Sequence, residues 1–154
     1  MRAWLLTWNI DNWEWQHFPT LVQDTKAGKT VKEVWTCSNK TVEVGDRVYL
    51  MKVGNMQRGI VASGYATSKS FDELHYDPKK AAEGIMASRI EVEFDKILDY
   101  EKGELLQQDK LKDLFPEQHW SPQASGIQIK EEYIKALEEQ WQRTLEPIMY
   151  SSLI

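Results

Sequence analysis

The alternation of apolar and polar positions divides the chain into short strands and a few amphipathic helices. Arg89 to Ile97 alternates strictly, Ile90, Val92 and Phe94 against Glu91, Glu93 and Asp95, which predicts a strand with one wet face. Residues 2–8 are apolar on both faces and predict a buried strand, ended by the polar run Asn9-Ile-Asp-Asn12. Asp11 or Asn12 is the expected cap of a short helix carrying Phe18, Leu21 and Val22. Val31 to Trp35 reads as a strand entering the polar loop 36–40. Asp46 to Val53 and Gly59 to Tyr65 read as two strands of a hairpin joined through Gly54. From Thr67 to Ser88 the pattern is irregular, with Pro78 opening a helical turn, and so long a stretch marks a functional loop. Leu105 to Phe115 predicts an amphipathic helix stopped by Pro116. A second loop, 119–126, precedes a short strand at 127–129. The last helix spans about 130–145, with Tyr133, Ile134, Leu137, Trp141 and Leu145 on one face and Pro147 ending it before a tail at 146–154. One domain over 1–154 is expected, of α+β class, with hairpins favouring a small mixed β-barrel flanked by helices.

Composition narrows what such a domain does. No apolar run approaches the ~20 residues of a membrane span, and no signal peptide is read at the start. The single Cys37 excludes an internal disulfide and fits a reducing cytoplasm. The net charge of −5 argues against indiscriminate nucleic-acid binding. The charge is uneven, however. Residues 1–90 carry 12 Lys/Arg against 10 Asp/Glu, and residues 91–154 carry 7 against 14, so an anion-facing surface is expected in the first part.

Seven tryptophans, four of them within the first fifteen residues, lie beside Asn, Thr and Ser. Flat rings next to amide and hydroxyl groups suit a planar ligand that is stacked upon and hydrogen-bonded at its edge. Trp4 and Trp141 read as core, and Trp13 and Trp15 as packing for the first helix. Trp35, Tyr76 and Trp120, in polar loops, read as functional. Catalysis finds little support. Cys37 with one of three scattered histidines is the sole candidate nucleophile, and neither a metal motif nor a phosphate loop is present. No cofactor is expected. Besides a reader of nucleobases, the residues leave open a binder of a free nucleoside or planar metabolite, a thiol hydrolase using Cys37, and a purely structural adaptor.

Several segments resemble a known family. Trp4-Leu-Leu-Thr-Trp-Asn9, Trp35-Thr-Cys37, Gly45-Asp-Arg-Val-Tyr-Leu50, Arg58-Gly-Ile-Val-Ala-Ser-Gly64, His75-Tyr-Asp77, Val92-Glu-Phe-Asp95 and Trp120-Ser-Pro-Gln-Ala-Ser-Gly126 occur in order. Together they resemble the EVE domain of the PUA-like superfamily, closest to the version fused to HNH nucleases in modification-dependent restriction enzymes. The resemblance spans about residues 2–145. It implies a PUA-like barrel whose pocket accepts a flipped, modified base, with methylated or hydroxymethylated cytosine in DNA ahead of RNA. The related YTH modules hold their base in an aromatic cage. By that likeness Trp35 and Tyr76 would sandwich the base, Asn9 and the backbone of Thr36, Cys37 and Ser38 would read its edge, and Trp120 with Gln123 would fill the gap or line the strand path. Lys40, Arg58 and Lys69 are the candidates for backbone phosphates. The family usually has His-Trp-Asp at His75-Tyr-Asp77 and Gly at Ser38, which bears on the modification preferred. No nuclease follows residue 154, so binding without cutting is expected, with any nuclease encoded nearby as partner.

Overall fold

The computed structural model describes residues 2–151. Eight strands form one mixed sheet: β1 (Ala3–Asn9), β2 (Val31–Thr36), β3 (Arg47–Val53), β4 (Gly59–Ala66), β5 (Phe71–Leu74), β6 (Met86–Ile97), β7 (Leu106–Gln107) and β8 (Ile127–Gln128). The helices are α1 (Phe18–Lys26), α2 (Pro78–Ala82), α3 (Gln108–Leu114) and α4 (Glu131–Ser151). The path through the sheet runs β2-β6-β4-β3-β1-β8, with β5 on β6 and β7 on β4. β1 and β3 are parallel, and every other pairing is antiparallel. Just beyond β2, the Ser38 amide donates to the Ser125 carbonyl ahead of β8 at 2.8 Å, so the two ends of the path meet and the sheet curls.

Burial explains the patterns. Trp4, Leu6 and Trp8 of β1 enter one core with Phe18 and Val22 of α1 and with Ile90, Val92 and Phe94 of β6. Ala3 and Leu5 enter a second core, on the other sheet face, with Trp120 and with Leu137, Trp141 and Leu145 of α4. A strand covered on both faces has no reason to alternate. α4 is also held electrostatically. The buried Arg47 guanidinium donates to Glu138 at 2.8 Å and to Asp95 at 3.2 Å, while Tyr49 Oη donates to Glu138 at 2.6 Å.

Four expectations are corrected. The helix at 105–115 is shorter, because Leu106–Gln107 pairs with β4 before α3 begins. The first helix is capped by neither Asp11 nor Asn12: its N-cap is His17, with Pro19 in the first turn. The irregular stretch 67–88 contains β5 and the start of β6 besides the helical turn expected at Pro78, which is α2. β5 is exposed at all four positions and exists through its ladder to β6. Finally, Pro147 lies inside α4 instead of ending it. Proline removes one helical hydrogen bond, and the half-buried Ile148 and Met149 beyond it still pack on the second core. Residues 152–154 of the expected tail lie outside the described residues.

Candidate nucleobase-binding site

Where β1 and β2 end side by side, a cavity of about 780 Å³ opens between them, the β5–β6 arm and the 122–125 loop. Asn9, Trp35, Thr36, Ser38, Tyr76 and Gln123 all line it, so residues far apart in the chain are brought to one place.

The 120–126 segment builds this wall. The Ser125 hydroxyl accepts from the Thr7 amide at 3.0 Å and donates to the Thr36 carbonyl at 2.6 Å, clasping β1 to β2. The Ser125 carbonyl takes both the Ser38 amide and the Ser38 hydroxyl, each at 2.8 Å. Gly126 has φ +104°, and a Cβ there would stand 2.7 Å from Cys37 Sγ and 2.8 Å from Ser38 N. Only glycine lets the loop approach so closely. Pro122, Gln123 and Ala124 are thereby presented to the cavity.

Trp35 is set deeper than an open stacking platform. It is 5% exposed and packs edge-on to Trp13 at 5.1 Å and Trp15 at 4.9 Å. Its indole N–H donates to the Thr7 carbonyl at 2.9 Å. The more open rings on the wall are Trp13, 38% exposed, and Tyr76, 55% exposed. Tyr76 stacks on His75 at 4.6 Å. Asn9 Oδ1 accepts from the Asp11 amide at 3.0 Å, and Nδ2 has no protein partner among the described residues. That leaves an amide donor at the wall.

Two expected wall residues lie elsewhere. Cys37 extends the β2–β6 ladder by one residue, its amide donating to the Ser88 carbonyl. Its side chain therefore turns to the core while Thr36 and Ser38 face the cavity, as extended backbone requires. Burial pushes its thiol up, while a backbone hydrogen bond with Asn39 works against this. A protonated thiol away from the cavity is a poor nucleophile. Trp120 is 2% exposed and belongs to the second core; its N–H donates to the Phe115 carbonyl at 3.0 Å. It anchors the loop instead of lining it.

The three candidate cations are exposed and not on the wall. Lys40 pairs with Asp72 at 3.8 Å, and Arg58 donates to the Gly54 carbonyl at 3.4 Å. Sequence reasoning missed the cation that is on the wall. Arg89 donates to Thr36 Oγ1 at 2.9 Å and pairs with Glu73 at 3.4 Å, and both charged residues face the cavity. Arg89 heads the alternating run 89–97 on the face read as wet, which gave no cue. Trp13, read as packing, was missed for the same lack of context.

No protein-family model matches the chain, and no curated protein matches it. Solved structures do. A protein from Pseudomonas syringae superimposes with a TM-score of 0.59 at 17% identity, over 88% of this chain and 97% of that one. A hypothetical protein from Leishmania major gives 0.55 at 18% identity, over 92% and 97%. The human THYN1 protein in complex with 5-methylcytosine-containing DNA gives 0.46 at 14% identity, over 89% and 95%, too loose a superposition to bear on function. The likenesses establish the fold alone, a mixed α+β arrangement of one eight-stranded sheet with helices.

Proposed function

We propose that the protein is a non-catalytic reader of a modified nucleobase, methylated or hydroxymethylated cytosine in DNA, which it holds extruded from the strand. The observation that carries this reading is the cavity at the ends of β1 and β2. About 780 Å³ is ligand-sized, and the cavity combines the rings of Trp13, Trp35 and Tyr76 with the polar groups of Asn9, Thr36, Ser38 and Gln123. Stacking is worth about 1–3 kcal/mol per base, comparable to the few kcal/mol that extrusion costs. Modest affinity for duplex and better affinity for single-stranded or mismatched sites follow. The placement of Cys37 in the core supports a role without catalysis.

A screen of DNA and RNA oligonucleotides carrying 5-methylcytosine, 5-hydroxymethylcytosine, N6-methyladenine or no modification tests the proposal by fluorescence anisotropy. One modified DNA should bind at least about tenfold tighter than its unmodified match. Equal affinity across the series would refute it. A second reading, a binder of a free nucleoside or planar metabolite, is favoured by the net charge of −5 and by Glu73 on the wall. Salt separates the two, since polynucleotide binding weakens steeply with salt and neutral nucleoside binding hardly changes.

A further inference from the structure

A second cavity, of about 310 Å³, shares Trp8 and Trp13 with the first and lies between the start of α1 and the 3-10 turn at Tyr100–Lys102. Rings dominate it: Trp15, Phe18 and Tyr100 join the two shared indoles. Trp8 meets Trp15 edge-on at 5.4 Å and 86° and Tyr100 at 5.7 Å and 77°, and Phe18 packs tilted against all three. Three carboxylates, Glu14, Asp99 and Glu101, also line it, and among the described residues no lysine or arginine does. Their charge is felt at the Tyr100 hydroxyl, whose pKa is raised first by burial and then by Glu101 and Asp99. The one other ionisable group, His17, holds a left-handed backbone (φ 62°, ψ 22°) at the cavity edge. A residue with a side chain rarely adopts that conformation, which costs about 1 kcal/mol or more.

We infer that this cavity binds a small organic cation, an alkylated ammonium of about the size of choline. Aromatic faces attract such cations through their quadrupoles, and the carboxylates compensate its charge. The same ring cluster already accommodates an ammonium from within. Lys52 is fully buried, donates to the carbonyls of Asn55 and Gln57 at 2.6 and 2.7 Å, and stands 5.1 Å from the Tyr100 ring. An anion would meet three like charges. A metal ion is disfavoured too, because no group of three metal-binding side chains converges among the described residues.

The test titrates 15N-labelled protein with choline and, separately, with its neutral isostere 3,3-dimethylbutan-1-ol. The indole N–H resonances of Trp8 and Trp15 report the cavity, and that of Trp141, in the second core, serves as reference. Choline should shift Trp8 and Trp15 saturably, and the isostere should bind about tenfold more weakly or not at all. The double variant Glu14→Gln, Glu101→Gln should weaken choline about tenfold. Neither carboxylate makes a protein hydrogen bond among the described residues, so the fold should stand. Absence of a saturable shift, equal affinity for choline and isostere, or undiminished choline affinity in the double variant would overturn the inference. None of these outcomes depends on the first cavity reading a base.

Discussion

Replacing Ser125 with alanine should loosen the base cavity before it loosens the fold. The hydroxyl sits between the Thr7 amide and the Thr36 carbonyl, at 3.0 and 2.6 Å, and joins the ends of β1 and β2 beside the Trp35 indole bond to the Thr7 carbonyl. Its loss deprives one donor and one acceptor of their partner. A typical hydrogen bond contributes about 0.5–1.5 kcal/mol net, and a buried group left unpaired costs about 1–3 kcal/mol. Ser125 is on the cavity wall, so water reaches the vacated site and keeps the cost near the low end. About 1–2 kcal/mol is expected. With an m-value of about 2 kcal/mol/M in urea, the unfolding midpoint should fall by about 0.5–1 M with m unchanged. Hydrogen exchange at the Thr7 amide should accelerate, because that proton loses its acceptor. Ser121→Ala is the control. Ser121 Oγ accepts from Gln108 Nε2, which also donates to the Trp120 carbonyl at 2.7 Å, so little should change. A midpoint shift in Ser125→Ala no larger than in Ser121→Ala, with Thr7 protected as before, would refute the clasp.

Other outcomes follow from the same structure. Gly126→Ala should cost about 3 kcal/mol or more by thermal or urea unfolding, since it combines a positive φ with a Cβ at 2.8 Å from a backbone nitrogen. Glu138 gives a pH dependence. Burial raises its pKa, but hydrogen bonds from Arg47, Tyr49 and Gln142 outweigh this and hold it below the usual carboxylate value. Its stabilising contribution is therefore complete above the unfolded-state pKa, near 4.3, and lost as pH falls through the lower folded value. Glu138→Gln should be less stable at pH 7 and lose less on acidification to pH 3, measured by urea midpoints across that range. Cys37 should resist a thiol reagent such as DTNB in the native protein and react at once in urea, because it is fully buried with its pKa raised. Rapid native labelling would contradict its placement.

The legible parts of the fold were those in which one face decides the fate of a segment. β6 alternates because Ile90, Val92 and Phe94 are buried while Glu91 is exposed. The β3–β4 hairpin announces itself through two apolar runs about Gly54, and α4 through Leu137, Trp141 and Leu145. β5 was illegible because Phe-Asp-Glu-Leu buries nothing, and only the partner strand makes it a strand. Pro147 misled because the pull of Ile148 and Met149 toward the core is a tertiary effect. The site was legible in its polar edge and less so in its rings. A tryptophan in a polar stretch does not reveal which way it points. Trp120 turned to the core that it shares with Leu137 and Trp141, and Trp13 to the cavity beside Trp35, in each case through neighbours distant in sequence. Trp35 does both, so Trp35→Ala would cost about 3–5 kcal/mol of stability and confuse a binding assay.

Tyr76 is the cleaner probe, being a cavity ring that is more than half exposed. The central claim is that an extruded modified base stacks in this cavity, and the direct measurement is the ratio of affinities for matched modified and unmodified DNA in the parent and in Tyr76→Ala. A stacking loss of about 1–3 kcal/mol predicts that affinity for the modified strand falls about 5- to 150-fold while thermal stability holds, and that the ratio drops toward one. An undiminished ratio in the variant would contradict the account.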